Sequence, residues 1–450
     1  MSEPIETTEY KDPPKSFWGR FRYIGPSLIL TATLVGSGEL VITTLLGAEL
    51  GFVALWIIIG TCVLKVALQE TLGRFVVSAG ETSLTTFDKL PGPRLVVGWA
   101  VWVWLAITLF TLLQLGGVVN VVGESVHLIF PVLSAEAWGP ICCGLGFLIL
   151  ISGRYKLVER VSVILVSIFS ISIIFCALLI QTTDYAISAA DVASGFQFQL
   201  PESGGKALSV VAAAGLSATE LMYYAYWCLE KGYARFTGPN DGTEAWQARA
   251  QGWIRVMRLD CYFAMVIYTT TTIAFYFLGA AILHRTGEIP EQADVVATLS
   301  SIYTKTIGPG AFYIFVISAF FVLFSTLFVS IASNARLMPD CLRVFGLISL
   351  DDDRSRRLWV KTFVCVFSAL YVIGAFLPVG AVMKMIVGFV GLGLMLPMIC
   401  FAALYLRYRR LDPALRPSPI MDVWLWASAL LTVVLTIRAV VDLIQHGAHA

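Results

Sequence analysis

The sequence Thr33-Leu34-Val35-Gly36-Ser37-Gly38-Glu39-Leu40 lies in the middle of an apolar run that extends from Pro26 to Ala48. Two glycines around a serine weaken an α-helix, and a carboxylic acid follows them directly. Glu39 lies about 20 Å along this run at ~1.5 Å per residue, which places it near the middle of a bilayer about 30 Å thick. A charge at that depth costs about 2.5–3.5 kcal/mol on insertion scales, so such residues usually line a pathway or a binding site.

A second stretch of the same kind follows about half a chain later, at Gly215-Leu216-Ser217-Ala218-Thr219-Glu220-Leu221. It also lies inside an apolar run and also ends in a glutamate followed by a leucine. Two interrupted segments in corresponding positions of two halves indicate the binding site of a transporter.

The composition excludes a soluble protein. Of the 450 residues, 58% are hydrophobic and 14% are charged, whereas soluble domains carry about 25% charged residues. The mean hydropathy is +0.80. A net charge of +1, with lysine and arginine spread along the chain, gives no indication of a nucleic-acid partner. The expected partners are membrane lipid and a small ion or solute, with no obligate protein partner. The nine cysteines show no metal-binding spacing, so we expect no resident cofactor.

Charge-poor runs predict eleven membrane spans, at residues 26–48, 52–78, 95–123, 137–153, 158–181, 207–231, 259–283, 311–335, 358–376, 381–406 and 421–443. Basic residues concentrate in alternate loops, as in the loop with Arg407, Arg409 and Arg410. This bias predicts a cytoplasmic N-terminus and, after an odd number of spans, an external C-terminus. We expect an integral protein of a bacterial-type plasma membrane.

Five spans precede the second broken segment and five begin with it, and the two sets run in opposite directions. The pattern predicts an all-α membrane protein with a five-plus-five inverted repeat and an additional eleventh helix. The predicted units are a cytoplasmic tail (1–22), a first repeat (23–206), a second repeat (207–410), and an eleventh span with its tail (411–450). Between spans six and seven, residues 244–258 interleave tryptophan and arginine, which we interpret as an amphipathic helix at the membrane interface.

Several local motifs resemble the natural resistance-associated macrophage protein (Nramp) family of divalent metal transporters. They are Tyr23-Ile24-Gly25-Pro26, Gly51-Phe52-Val53-Ala54-Leu55-Trp56, Leu68-Gln69-Glu70-Thr71-Leu72-Gly73-Arg74, Tyr155-Lys156-Leu157-Val158-Glu159-Arg160, Arg255-Val256-Met257-Arg258-Leu259-Asp260 and Leu394-Met395-Leu396-Pro397. In this order they cover nearly the whole chain. The resemblance implies a LeuT-type inverted-repeat fold and transport of a divalent metal.

The departures from the family fall on its metal site. Where the family has Asp-Pro-Gly-Asn in the first break, this chain has Gly36-Ser37-Gly38-Glu39. The metal-binding Asp position is therefore Gly36 and the Asn position is Glu39. In the sixth span the family has Ala-Thr-Val-Met-Pro-His, in which the methionine is the soft metal ligand. In this chain Leu221 occupies the position of that methionine, and Tyr223 occupies the position of the histidine. The resemblance thus implies a divergent branch whose substrate need not be manganese or iron.

The residues at the two breaks form an all-oxygen set of candidate ligands. It comprises the carboxylates of Glu39 and Glu220, carbonyls near Gly36 and Ser217, and the hydroxyls of Ser37 and Thr219, with Tyr223 beside them. Hard ligands of this kind suit Mg²⁺, Ca²⁺ or Mn²⁺. Our first hypothesis is a divalent cation bound between Glu39 and Glu220. The alternatives are that Glu39 opens a half-helix and that Glu220 is a buried, hydrogen-bonded acid.

Two lysines lie within predicted spans, Lys65 in span two and Lys384 in span ten. Each is a candidate partner for a glutamate, either as an internal cation that replaces a coupling ion or in a salt bridge that breaks on substrate binding. If both lysines neutralise the glutamates, the site favours a small organic solute over a metal ion as the substrate. Snorkelling is the alternative for Lys384. In span eight, Thr326, Ser330 and Ser333 share one helical face and either line the pathway or bond neighbouring helices.

Taken together, these features predict a secondary active transporter that moves a divalent cation by alternating access. The alternatives are a transporter of a small organic solute or monovalent cation, and a membrane sensor that does not transport. An enzyme is not expected, because no nucleophile–base pair or catalytic metal motif is present.

Overall fold

The computed structural model describes residues 10–151, 155–199, 204–288, 295–350 and 352–446. The outermost parts of both predicted tails, 1–9 and 447–450, lie outside these ranges. In the first half of the chain the described residues form the helices α1 (Phe17–Phe21), α2 (Pro26–Leu34), α3 (Thr44–Leu50), α4 (Leu55–Ala79), α5 (Ser83–Asp88), α6 (Trp99–His127), α7 (Ala135–Leu150), α8 (Tyr155–Leu179), α9 (Ala189–Ser194) and α10 (Gly204–Ala213).

The second half forms α11 (Ala218–Lys231), α12 (Tyr233–Thr237), α13 (Glu244–Leu278), α14 (Val295–Thr306), α15 (Ala311–Val344), α16 (Asp353–Ala375), α17 (Ala381–Tyr405) and α18 (Pro419–His446). Three π-helical turns extend or precede these helices, at Gly38–Thr43, Gly279–His284 and Leu406–Arg410. Two 3₁₀ turns occur at Ile180–Thr182 and Pro413–Leu415, and a small antiparallel pair joins β1 (Arg94–Leu95) to β2 (Val97–Gly98).

Seven helical segments of the described chain are long and apolar enough to cross a membrane alone: Leu55–Ala79, Trp99–His127, Glu244–His284, Ala311–Val344, Arg354–Ala375, Ala381–Arg410 and Pro419–Asp442. An eighth crossing is a bent pair, Pro26–Leu34 with Gly38–Leu50, whose halves meet at 42°. The structure thus confirms an all-helical membrane protein. The count of eleven spans and the division into repeats stay predictions.

Both predicted helix breaks are present. The first separates α2 from the π-helical turn at Gly38, and the second separates α10 from α11. In the second break Gly215 adopts φ +65°, a left-handed conformation that glycine takes without steric cost. Ser217 then caps α11 in an extended conformation. The glycines and serines in the sequence therefore break the helices locally, as their residue types predict.

The N-terminus of α2 is fixed by a residue from the other half of the chain. The Gly25 and Ser27 backbone N–H groups donate to the two carboxylate oxygens of Asp260, over 2.7 and 2.8 Å. Asp260 lies in α13 and is fully buried. Because charge-assisted bonds satisfy two of the free N–H groups at this helix end, α2 is tied to α13 at the end that begins the first span.

The prediction of a separate interfacial helix at residues 244–258 is wrong. These residues are the first part of α13, a helix of 35 residues whose later part is the apolar membrane segment. Trp246 and Trp253 are 1% and 0% exposed, and their indole N–H groups donate to the carbonyls of Gly238 and Lys11. The tryptophans therefore pack inside the protein, where they cannot lie in the lipid interface.

Candidate functional site

A small cavity lies between the two breaks. Its volume is about 20 Å³, which holds about one water molecule or one small ion. Segments around both breaks contribute to the wall, together with α6, α15 and α17. The polar residues that line it are Thr33, Ser37, Thr111, Gln114, Ser217, Thr219, Glu220, Tyr223, Thr326 and Ser330. The cavity is thus rich in hydroxyl groups and carries one carboxylate.

Glu220 is that carboxylate, and it is 7% exposed. One of its oxygens accepts a hydrogen bond from the Ser217 backbone N–H over 2.9 Å, so Glu220 closes a capping box on its own helix. The hydroxyls of Ser217 and Thr219 lie 2.9 Å apart. Because the cap uses one oxygen, the arrangement leaves acceptor capacity on Glu220 beside two hydroxyls.

Glu39 is fully buried but does not line this cavity. Its carboxylate accepts hydrogen bonds from the hydroxyls of Thr43 and Thr272, over 2.7 and 2.6 Å. The backbone of Gly215, in the second break, lies next to this carboxylate. Glu39 therefore links the first broken span to α13 and to the second break. The structure does not bring Glu39 and Glu220 together around one cavity, and the role of Glu39 as a metal ligand stays a prediction.

The side chain of Lys65, in α4, reaches into the second break. Its ammonium group donates to the carbonyls of Val211 and Leu216, over 2.6 and 2.7 Å, and the side chain is 1% exposed. These carbonyls lie at the end of α10 and just before α11, where the helical hydrogen bonds are interrupted. Lys65 also lies within electrostatic range of both Glu39 and Glu220. The ammonium group of Lys65 thus supplies hydrogen bonds to two buried carbonyls at the break, and its charge is opposite to that of the two acids.

Lys384 is equally buried but has different partners. It donates to the carbonyl of Ala375 over 2.6 Å and to the Asn120 side-chain oxygen over 3.0 Å. These contacts join α17 to α6 and to the end of α16. They give no support to the hypothesis that Lys384 neutralises one of the two glutamates.

The remaining predicted residues line the cavity or its edge. Ser37, Ser217, Thr219 and Tyr223 are in the wall. The Tyr223 hydroxyl lies close to the side chains of Thr219 and Asn334. The Asn334 amide in turn donates to the Tyr371 hydroxyl over 2.8 Å. A chain of polar groups therefore runs from the cavity towards α16.

Gly36 contributes space, which the hydroxyl of Thr326 occupies. The Thr326 hydroxyl donates to the Thr33 carbonyl over 3.0 Å and accepts from the Ser37 N–H over 3.1 Å. A Cβ atom on Gly36 would lie 1.4 Å from this oxygen. The neighbouring Ser325 hydroxyl donates to the Ala32 carbonyl over 2.7 Å. The first break is thus held directly by α15, and no side chain fits at position 36.

Sequence reasoning missed the groups that hold Glu39. Thr43 lies four residues after Glu39, one helical turn away, and was readable from spacing. Thr272 is one of four consecutive threonines in an apolar run, but only the fold places it against Glu39. The capping box Ser217-Ala218-Thr219-Glu220 was also readable, since its spacing is that of a helix N-terminus.

Replacing Gly36 by alanine is expected to destabilise the protein by about 1–3 kcal/mol, the range for overpacking a well-packed core. The reason is the clash between the new Cβ and the Thr326 hydroxyl, which lies 1.4 Å away. Thermal unfolding of the purified protein measures the effect.

The Gly36→Ala/Thr326→Gly variant removes both atoms of Thr326 that the new Cβ would meet first. Because the two sites contact each other, the double variant should lose less stability than the sum of the single changes. Additive losses would show that the contact with Thr326 is not what requires glycine at position 36.

Comparisons with known proteins agree with this architecture. The family model for natural resistance-associated macrophage protein-like proteins matches residues 27–442. An uncharacterized protein of Pasteurella multocida is 23% identical over 341 residues, 73% of each chain. The manganese transporter of Eremococcus coleocola, solved with an aromatic bis-isothiourea compound, superposes with a TM-score of 0.66 at 14% identity, over 99% of this chain and 93% of that one.

The fold extends to transporters outside that family. Mhp1, a nucleobase-cation-symport-1 family transporter, superposes with a TM-score of 0.55 at 14% identity, over 97% of this chain and 91% of that one. MhsT in complex with L-phenylalanine has the same TM-score and identity, over 95% of this chain and 100% of that one. The fold is therefore the LeuT type with its helices broken around a central site. With the family model matching residues 27–442, this chain belongs to the natural resistance-associated macrophage protein (Nramp)-like family of membrane transporters.

Proposed function

We propose that this protein is a secondary active transporter that moves a small divalent cation of the Mg²⁺ or Mn²⁺ kind by alternating access. The observation that carries the proposal is the small cavity of about 20 Å³ between the two breaks, with Glu220 in its wall. The manganese transporter of Eremococcus coleocola, with the same fold, supports a metal as the transported ion.

The size of the cavity favours an ion over an organic solute. Pockets for organic ligands usually measure about 300–1,000 Å³, whereas this cavity has room for about one small ion. Its hydroxyl and carboxylate oxygens are the donors that Mg²⁺ and Mn²⁺ prefer. We assign Glu220, Ser217, Thr219 and Ser37 as the groups that meet the cation.

The charges near the breaks favour a cation over an anion. Glu39 and Glu220 are two acids, and Lys65 is one base within their electrostatic range. With all three groups ionised the set carries one excess negative charge. That balance favours a monovalent cation as the second candidate, because a single positive charge would neutralise it. Direct binding of a divalent ion by Glu39 requires that Thr43 and Thr272 release its oxygens.

Ion uptake into proteoliposomes tests the proposal. We expect saturable uptake of Mg²⁺ or Mn²⁺ and no uptake of uncharged organic solutes, with empty liposomes as the control. Each ion is measured with and without a pH gradient, and Na⁺ and K⁺ form the monovalent arm. Uptake confined to Na⁺ or K⁺ would replace the divalent assignment, and ion binding without any flux would favour a sensor. We also propose a bacterial-type plasma membrane with the N-terminus inside, which cysteine labelling from each side tests.

A further inference from the structure

The first turns of α13 have a second face that the transport site does not use. The two tryptophans of this segment point into the protein, and Gln251, Arg255 and Arg258 lie on its exposed side. This side forms one wall of a cavity of about 560 Å³. The other walls are the end of α4, at Glu70 and Arg74, and residues 414–424, which lead into α18. We call it the arginine cavity.

The arginine cavity has a strong excess of positive charge. Four arginines line it (Arg74, Arg255, Arg258 and Arg416), against the single acid Glu70. The cavity therefore carries three uncompensated positive charges. A pocket of this charge and size is complementary to a phosphate-bearing headgroup, which arginine binds through two parallel hydrogen bonds.

Glu70 is fully engaged at the base of the cavity. It is 1% exposed and accepts hydrogen bonds from Arg74 over 2.9 and 2.5 Å and from the Tyr262 hydroxyl over 2.7 Å. It also forms an ion pair with Arg258, whose Nε lies 3.2 Å away. Arg74 also donates to the Leu415 carbonyl over 3.1 Å, which fixes the connecting segment. These contacts make a rigid floor.

The two outer arginines are free to meet a ligand. Arg255 bonds the Gln251 carbonyl through its Nε atom over 3.3 Å, which leaves its terminal nitrogens for another acceptor. Arg416 is exposed on the opposite side. Among the described residues, neither has an acidic partner. The floor is therefore neutralised by Glu70, whereas the mouth is not.

The cavity adjoins an exposed apolar surface at the start of α18. α18 begins at Pro419 and is one of the segments long and apolar enough to cross the membrane. At its start Ile420 and Val423 are 78% and 71% exposed, next to Trp424 in the cavity wall. Tyr262 and Trp424 have ring centroids 6.1 Å apart. Aromatic residues of this kind mark the level of the headgroups.

We propose that the arginine cavity binds the phosphate headgroup of an anionic membrane lipid, with the acyl chains lying along the exposed apolar face of α18. The excess positive charge of the arginine cavity favours an anionic ligand, and the exposed apolar face of α18 beside it favours a lipid over a free phosphate. This site is separate from the ion cavity, and its test does not depend on transport.

The test measures lipid binding to the purified full-length protein in uncharged detergent, by native mass spectrometry and by thermal unfolding. The probes are phosphatidylglycerol, phosphatidylcholine, inorganic phosphate and glycerol 3-phosphate. We expect phosphatidylglycerol to bind and to raise the unfolding temperature, and the other three to do so much less at equal concentration. Equal effects of the two lipids, or full protection by a free phosphate, would overturn the lipid assignment.

The variant Arg255→Gln/Arg416→Gln removes the two outer charges. We expect its affinity for phosphatidylglycerol to fall about 10- to 30-fold, given about 1 kcal/mol for each arginine near a membrane surface. The matched control, Arg354→Gln/Arg356→Gln, removes two exposed arginines at the start of α16 and should change the affinity less than about twofold by the same reasoning. An equal loss in both variants would show only general attraction between a basic protein and an acidic lipid.

Discussion

Cation uptake is expected to be lost when Glu220 is replaced by glutamine. Glu220 is the one carboxylate among the residues that line the cavity between the two breaks, and on the proposed function a neutral amide would leave the cation without a charged ligand. A hydrogen bond or ligand contact to a charged group contributes about 1.5–3 kcal/mol, so the affinity for the cation should fall about 10- to 150-fold. Isothermal titration calorimetry measures the affinity for the cation, and proteoliposome assays measure its uptake.

Glutamine separates the charge of Glu220 from its structural role. Its amide oxygen still accepts from the Ser217 N–H, because glutamine serves in a capping box as glutamate does. The Glu220→Gln protein should therefore fold with a nearly unchanged unfolding temperature, whereas Glu220→Ala should lose both the cap and the charge. The Glu220→Asp variant keeps the charge and should retain part of the binding. Full uptake by the folded glutamine variant would remove Glu220 from the mechanism.

Replacing Lys65 by alanine is expected to have the second large effect. The change leaves the carbonyls of Val211 and Leu216 without the donor that now lies 2.6 and 2.7 Å away. Each buried group left unsatisfied costs about 1–3 kcal/mol. The change also leaves Glu39 and Glu220 without an opposing charge. We expect a lower unfolding temperature and uptake reduced about 100-fold or more, a change of some 2.7 kcal/mol in free energy.

Chemical rescue shows whether the positive charge itself is required. The Lys65→Ala variant has room for a small alkylammonium ion, so methylammonium or ethylammonium in the medium should restore part of the uptake and of the stability. The matched control is Lys384→Ala. That lysine is also 1% exposed and also bonds a carbonyl, but it lies away from both breaks. Rescue of both variants, or of neither, would contradict a specific role for the ammonium group of Lys65.

The positions of the two breaks follow from local residue types. Glycine and serine are weak helix formers, and both helix breaks occur where they cluster in an apolar run, at Gly36-Ser37-Gly38 and at Gly215-Leu216-Ser217. The resemblance to the Nramp family could likewise be read from short motifs in order along the chain, and the family model confirms it. The capping role of Glu220 is equally local, since Ser217 and Glu220 are three residues apart.

The hydrogen-bond partners of Glu39 and Lys65 could not be predicted from local residue types. Glu39 meets Thr272, 233 positions away, and Lys65 meets Val211, 146 positions away. Helical periodicity indicates which residues share a face, but not which helix packs against that face. The same limit explains why the segment at residues 244–258 was misinterpreted. Its tryptophans suit a lipid interface or a protein core equally well, and only the packing of Lys11 and Gly238 against them decides between these.

Residue types and their spacing indicate that this chain crosses a membrane, that two of its apolar runs are broken by glycine and serine, and that an acid follows each break. These features depend on residue type and on spacing along a single helix. The packing of the helices shows which acid lines the cavity between the breaks, which acid is held by threonines, and which lysine reaches into the second break. Those outcomes depend on contacts between residues far apart in the chain, whose geometry is set by how the helices pack together.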